Sequence, residues 1–477
     1  GGKSGGSGSG GGGLCQICLK SHCARHSTLG QCAAKFGYAD PSGADLEYCK
    51  CGCCGKQCGM LNCHGTPPAA DLSPPNRLLE HVFSMNKTTG FPDSRGVRSL
   101  AFFSYGRYEY ALVASFLDNA VYVADISVPS APTLEATMRH GQNGYRMLEG
   151  PTDITVTHID GVLHALITSL TGNGVQIIAM STPWEPRPVA FAQDGVNGCD
   201  MLRGAHSVAV AMLSGKPHAV VTAYMGGGIQ LIDISRPTSP SCVSHLPLPG
   251  AQSLVIRAQP GGEMYALVAQ YDLDRLQTID ISDPREPTAV SEQTHGARVL
   301  ELLEGLTLNL RPTGLDLFTS SGTEYALVTL EAGDGLQLLN VTEARAPSSV
   351  SALHAGKSHW RMLRGAASVA VVTASENCTL AVVGSYTANG LQVLDLTVPS
   401  KPFELVHLAH RPDRPTLKGI VDVGVRHVEG SYYLYALSSS DHTVQVFHLN
   451  TSIACEHARA LNALHAAGDD DESEDDD

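Results

Sequence analysis

Residues 201–240 read MLRGAHSVAVAMLSGKPHAVVTAYMGGGIQLIDISRPTSP. Three runs of small and branched apolar residues, SVAV (207–210), HAVVTA (218–223) and IQLIDI (229–234), are separated by a short polar turn and a Gly-rich turn. Runs of this length and composition predict strands, and the closing Ser and paired prolines predict a rigid turn into a fourth. The unit recurs at 110–132, 164–186, 265–287, 325–347, 380–402 and 435–450, seven copies between about Val97 and Asn450. The small residue of the second strand falls at Ala111, Ala165, Ala219, Ala266, Ala326, Ala381 and Ala436. Fourteen residues later comes Asp125, Ala179, Asp233, Asp280, Asn340 or Asp395, while the shorter seventh copy has His448. Copies 47 to 60 residues apart fit four-stranded propeller blades. A solenoid, whose repeats are mostly shorter, is the competing architecture.

The fold class is therefore all-β, a seven-bladed propeller. Asp71–Phe83 (DLSPPNRLLEHVF) repeats the order of Asp395–His407 (DLTVPSKPFELVH): an acidic strand end, prolines and a following strand. It has no first two strands before it, and the seventh copy has no convincing fourth. Leu79–Phe83 is thus expected to supply the outer strand of the last blade and to remove the edges that a linear array would expose.

Of the 477 residues, 17% are charged and 43% hydrophobic, as expected for sheets buried on both faces. The net charge is -15, of which the tail at 469–477 carries eight negative charges, leaving -7 on the body. That surface argues against nucleic-acid binding, which needs a basic stripe. No stretch of 18 apolar residues appears, so no transmembrane segment is expected. The chain begins at Gly1 with neither Met nor a signal sequence, as a processed or incomplete product would.

Residues 1–13 are a flexible Gly/Ser segment, and 14–65 form a Cys-rich head. Ten of the fourteen cysteines lie there: Cys15, Cys18, Cys23, Cys32, Cys49, Cys51, Cys53, Cys54, Cys58 and Cys63. A segment so short and poor in large apolar residues needs covalent closure, and an even count points to disulfides. Zinc at Cys15–Cys18 and Cys51–Cys53 is the rival, but the spacing does not resolve into two four-ligand sets. Disulfides imply an extracellular or cell-surface location. In the ring, Cys199 and Cys242 are the expected pair, whereas partners for Cys378 and Cys455 are not readable. A Pro-rich connection (66–78) leads into the ring at 79–450, and an Ala/Leu-rich stretch at 451–468 predicts a short helix before the acidic tail.

Sequons make N-glycans expected at Asn377, Asn86 and Asn450, with Asn377 in a turn and best placed; Asn340 closes a strand. The longer loops between blades carry YRMLEG (145–150), CDMLRG (199–204) and WRMLRG (360–365). Tyr145, Arg146, Arg203, Trp360, Arg361 and Arg364 are the expected partner-binding residues, since loops on a rigid scaffold bear binding surfaces. Met147, Met201 and Met362 read better as packing between blades.

The segments ALVASFLDNAVYVADIS, AVVTAYMGGGIQLIDIS and AVVGSYTANGLQVLDLT resemble the LVIVD repeat, in which a [YH]-A-[LV]-V strand precedes Gly, a G-[LI]-x-[IV]-[ILV]-D-[IVL]-S strand and a P-x-x-P turn. The resemblance covers all seven copies and implies a secreted or cell-surface β-propeller, of a kind often attached to envelopes or extracellular assemblies. It implies no catalytic residue. Ala179, Asn340 and His448 depart from the pattern, which bears only on a local turn bond.

No phosphate loop, nucleophile elbow or His-Glu-x-x-His motif is present. The histidines are scattered, and His206 sits where the sixth copy has Ala367, so no symmetric ligand ring is expected. Ca²⁺ is conceivable only at Asp272–Asp274, without the twelve-residue loop pattern; no other cofactor is expected. Appendages at both ends of a rigid ring lead to the expectation of a non-enzymatic structural subunit of an extracellular filament or coat, binding copies of itself through the head. The alternatives are a monomeric ligand- or protein-binding propeller and a metal-dependent propeller hydrolase.

Overall fold

The computed structural model describes residues 77–294, 310–355, 360–411 and 415–469. The Gly/Ser segment, the Cys-rich head with its expected disulfides, nearly all of the Pro-rich connection and the acidic run from 470 lie outside the described residues.

Seven four-stranded antiparallel sheets form the blades of the propeller. Blades one to six are simple meanders whose inner strands are Val97–Tyr105, Pro151–Ile159, Ala205–Leu213, Ala251–Ala258, Pro312–Ser320 and Ala366–Ser375. Blade seven combines Ile420–Val428, Ser431–Ser438 and Thr443–Leu449 with Leu79–Met85 from the other end of the ring. That strand runs from Leu79 opposite Leu449 to Met85 opposite Val444, two residues beyond the stretch expected from sequence. The ring is thereby closed by hydrogen bonding between its two ends.

The second and third strands are apolar along both faces because each blade is covered by two neighbours. In the third strand of blade one, Val121 and Val123 pack with Ile154, Ala165 and Ile178 of blade two. The alternating residues Ala120, Tyr122 and Ala124 pack with Tyr435, Leu437 and Val446 of blade seven. The period-2 alternation thus divides one strand between two cores. Burying one such Val or Leu contributes roughly 1.5–3 kcal/mol.

The turn bond expected after the third strand is formed. The amide N–H groups of Ser127, Ser235 and Thr397 donate to Asp125, Asp233 and Asp395 at 2.8, 2.8 and 2.9 Å. Asn340 keeps it as well, accepting from the Thr342 N–H at 2.9 Å. An amide oxygen serves as well as a carboxylate here, so that departure from the repeat is neutral.

A second device ties blade to blade. The turn between second and third strands carries a residue in the left-handed region, whose side chain accepts an N–H from the segment leading into the next blade. Asn119 accepts from Gly150 (2.7 Å), and Asn173, Asp334 and Asn389 accept from Gly204, Gly365 and Gly419 (2.8 Å each). Asp274 accepts from Leu310 and Arg311, and His442 Nδ1 accepts more weakly from Gly96 at 3.4 Å. The junction from blade three to blade four has Gly227 at this position, which has no side chain to contribute.

The helix α1 (Thr451–Asp469) follows the last blade, capped by Asn450 Oδ1, which accepts the Ile453 N–H at 3.1 Å. Its Ala454, Cys455 and Ala458 pack with Leu78, Leu405 and Leu449, and the Asn462 amide donates to Asp395 at 2.9 Å. Cys455 is joined to Cys378 of blade six, with Cα atoms 5.6 Å apart. Cys199 is joined to Cys242, with Cα atoms 5.2 Å apart. Among the described residues no helix is long and apolar enough to cross a membrane.

Candidate functional site at the channel mouth

Each inner strand loses its regular pairing just after its first residue. In blade two Pro151 faces Ser169, but the next regular pair is Ile154 with Ile167. Blade three skips from Ala205 to Val208, and blade seven from Ile420 to Asp422. Such irregularities re-aim side chains. The residues concerned line a cavity of 480 Å³ at the mouth of the central channel: Arg98, Ser99, Thr152, Asp153, His206, Ser207, Gln252, Ser253, Thr313, Gly314, Ala367, Ser368, Val421 and Asp422. Tyr271, Glu331, Tyr386 and Ser439, from the turns after the second strands, complete the wall.

Asp153 is held on both sides. Its Oδ1 accepts from the Ser99 hydroxyl (3.0 Å) and the Ile154 N–H (2.8 Å). Its Oδ2 accepts from the Ser207 hydroxyl (2.7 Å) and the Val208 N–H (3.0 Å). Blades one, two and three thus meet on one carboxylate, and its acceptor positions are filled. Asp422 is less fully satisfied: Oδ1 accepts from Ser368 (2.8 Å) and the Val423 N–H (2.9 Å), and Oδ2 from the Leu100 N–H alone (2.9 Å). Burial pushes the Asp422 carboxyl up to about 7, with the nearby charge of Asp153 adding to the effect and the Ser368 bond opposing it. Asp316 lies two positions farther along its own inner strand, where it accepts the Val371 N–H at 2.7 Å and is likewise pushed up by burial.

His206 Nδ1 lies 3.0 Å from the carbonyl oxygen of Gln252. A carbonyl can only accept, so Nδ1 carries the proton and Nε2 presents its lone pair. Burial, reinforced by the charge of Arg98, pushes the imidazole down to about 3, so it is neutral at ordinary pH. Arg98 itself is exposed and has no ion-pair partner among the described residues. Across the mouth the Tyr271 hydroxyl donates to Glu331 (2.9 Å), and the Arg311 guanidinium stacks 5.1 Å above the Tyr271 ring. Burial pushes the Tyr271 hydroxyl up to about 12.

The six residues expected to anchor a partner are not gathered at this cavity. Tyr145 is 4% exposed, and its hydroxyl donates to the Pro186 carbonyl at 2.5 Å, so it is a packing residue. This is a correction: the aromatic ring fills the core between blades one and two instead of facing solvent. Trp360 is half-buried against the cluster containing Leu363 and Val383. Arg146, Arg203, Arg361 and Arg364 are exposed in the loops that lead into the inner strands, and none lines the cavity. Asp274 at the conceivable Ca²⁺ position accepts two backbone N–H groups, and Asp272 accepts from the Tyr224 hydroxyl at 3.2 Å. No cluster of three or more His, Cys, Asp or Glu side chains suited to a metal occurs among the described residues. Asn377 is exposed in its turn, while Asn86 caps the short Lys87–Thr89 turn through the Thr88 N–H at 2.9 Å.

Arg98, Asp153 and Asp422 were not singled out from sequence, and His206 was set aside for want of symmetric counterparts. The signal that finds them is positional: they stand two or three residues after the glycine whose N–H donates the blade-to-blade tie.

The family model described as LVIVD repeat matches residues 106–139 and 222–246. The chain carries LVIVD repeats. Among solved structures, a functionally unknown protein of Desulfotomaculum acetoxidans is similar to this LVIVD-repeat propeller at 13% identity and TM-score 0.49, over 72% of this chain and 95% of that one. A periplasmic gluconolactonase of Pseudomonas aeruginosa is similar at 10% identity and TM-score 0.50, over 65% and 85%. A candidate 6-phosphogluconolactonase of Bacteroides uniformis is similar at 12% identity and TM-score 0.48, over 68% and 87%. At these identities the likeness is one of fold. No curated protein matches the chain.

The expectation of a non-catalytic structural subunit is corrected by these findings. A protein of similar fold is named as a gluconolactonase, so the ring by itself does not point to a building block. The histidines give no symmetric ring, but the irregular starts of the inner strands gather an asymmetric set of polar residues at the channel mouth.

Proposed function

We propose that this LVIVD-repeat propeller binds a small polar molecule at its channel mouth, in an extracellular or other oxidising compartment. The observation that carries the reading is the convergence of two adjacent positions from all seven blades, the first different in nearly every blade and the second mostly Ser or Asp, on a single 480 Å³ cavity. That volume falls in the range of small-molecule sites, roughly 300–1,000 Å³. The cavity supplies a cation (Arg98), a neutral acceptor (His206 Nε2) and the hydroxyls of Ser253, Tyr386 and Ser439 on a frame tied by hydrogen bonds, so little ordering is needed on binding. The two disulfides support the compartment. Calorimetric titration with small hydroxylated compounds tests the reading: heat that is lost in a Ser207→Trp variant, which fills the mouth, is the expected result. Equal binding by that variant would contradict it.

A second reading, hydrolysis of a small cyclic ester at the same cavity, is favoured by one observation. The Asp422 carboxyl lines the cavity and is pushed up by burial to about 7, a value suited to general acid–base work. Water would add to the ester carbonyl, and the ring C–O bond would break to give a hydroxy acid. Proton release from D-glucono-1,5-lactone, followed against the uncatalysed background, tests it; a rate equal to background would remove this reading and leave the binding one intact.

A further inference from the structure

We infer that the channel-mouth ligand is a hydroxy acid, its carboxylate on Arg98 and a hydroxyl donated to Nε2 of His206. This rests on the binding proposal above and deepens it. The charges around the cavity differ in how far the protein itself satisfies them. Asp153 accepts four internal hydrogen bonds, two from serine hydroxyls and two from backbone N–H groups. Glu331 is held by the Tyr271 hydroxyl. Arg98 has no ion-pair partner among the described residues, although it is the residue whose charge acts on His206. An exposed guanidinium in the cavity wall, without an ion-pair partner among the described residues, is suited to a carboxylate, which it can bind in bidentate fashion.

His206 supplies the second half of the recognition. Its Nδ1–H is committed to the Gln252 carbonyl, so the cavity meets an acceptor and not a donor. A hydroxyl can donate to that nitrogen, whereas an ether, ester or carboxylate oxygen cannot. A ligand matching both groups therefore carries a negative charge and at least one hydroxyl. An ammonium compound would find Arg98 repulsive, and a plain fatty acid would leave His206 Nε2 desolvated without a partner, which is unfavourable.

Calorimetry with three probes tests this on the full chain: D-gluconate, D-glucitol (similar hydroxyls, no charge) and hexanoate (charge, no hydroxyls). Gluconate should bind at least about tenfold more tightly than either of the others. Arg98→Gln, an exposed and structurally mild change, should bring gluconate down to the glucitol level and leave glucitol unaltered. His206→Ala should weaken gluconate and glucitol together and leave hexanoate unaltered. If glucitol binds as tightly as gluconate, or if Arg98→Gln leaves gluconate affinity unchanged, the hydroxy-acid assignment is wrong although a channel ligand remains. If none of the three binds at up to about 10 mM, the binding proposal fails with it.

Discussion

Two registers of the same repeat behave in opposite ways. At the turn between second and third strands, six of seven blades place Asn, Asp or His in the left-handed region and use its side chain to accept an N–H from the start of the next blade. Two residues beyond that point, at the channel mouth, the blades agree on almost nothing: Arg98, Thr152, His206, Gln252, Thr313, Ala367 and Val421 stand in equivalent positions, while the next residue is Ser in four blades and Asp in two. The ring explains the contrast. Every junction needs the same tie, so the copies share it. The channel is a single space seen from seven sides, so a ligand that lacks sevenfold symmetry needs different residues there. In a closed repeat protein, agreement among copies marks the frame, and departure at an inward-facing register marks chemistry.

The largest effect on the frame should come from the clasp. Deleting Leu78–Met85 leaves Thr443–Leu449 as an exposed edge and uncovers the apolar surface around Leu434 and Phe447. Soluble monomer should be lost, as judged by size-exclusion chromatography; a folded monomer of unchanged melting temperature would show that closure lies elsewhere. Next comes the Cys378–Cys455 bond, which spans 77 residues and fixes helix α1 to blade six. Replacing both by Ser should cost roughly 2–4 kcal/mol in denaturant unfolding. The helix surface formed by Ala454 and Ala458 would then be held by packing alone.

The shared register gives a paired test. Asn173→Ala removes the acceptor for the Gly204 N–H and puts a Cβ-bearing residue without a local hydrogen bond at φ 57°, so it should cost about 1–3 kcal/mol. The converse change, Gly227→Asn, would install the tie at the one junction that lacks it. A Cβ there meets only Pro249 at 3.8 Å, and Asn tolerates the φ of 70°, so a gain of about 0.5–1 kcal/mol is expected. If both changes are neutral, the tie is incidental to the ring.

The smallest effect is a pH dependence at the channel. The Asp422 carboxyl is raised in the folded state from its ordinary value of 3.8 to about 7. Below 3.8 it is protonated in both folded and unfolded chains, and its stabilising contribution is fully present. Between 3.8 and 7 the folded chain holds a proton that the unfolded chain has lost, so stability falls as pH rises and levels off above 7. The melting temperature should decline across this window, and Asp422→Asn should flatten the decline without removing whatever slope other groups provide. An identical slope in the variant would mean that Asp422 is charged throughout.

Much of the frame was legible because it is repetitive. The Ala register, the Asp–x–Ser endings and the fragment at Leu79–Phe83 each follow from comparing copies, and the strands and turn bonds stand where that comparison puts them. The ties were not read, because Asn119 and Asn173 look like ordinary turn residues until their partners 31 positions away are known. The channel mouth was missed for a related reason. His206 has no counterpart in the sixth copy, where Ala367 holds the equivalent position, although asymmetry is what a single ligand requires. Tyr145 misled in the other direction: an aromatic residue in a long loop reads as an anchor, and only the position of Pro186 shows that its hydroxyl is already satisfied.

The central claim is that the channel mouth is the functional site, and a crystal structure of the full chain grown with D-gluconate tests it most directly. Ligand density is expected within the cavity, with the carboxylate against Arg98 and a hydroxyl on His206 Nε2. Density on another surface, with the cavity holding only solvent, would contradict the account.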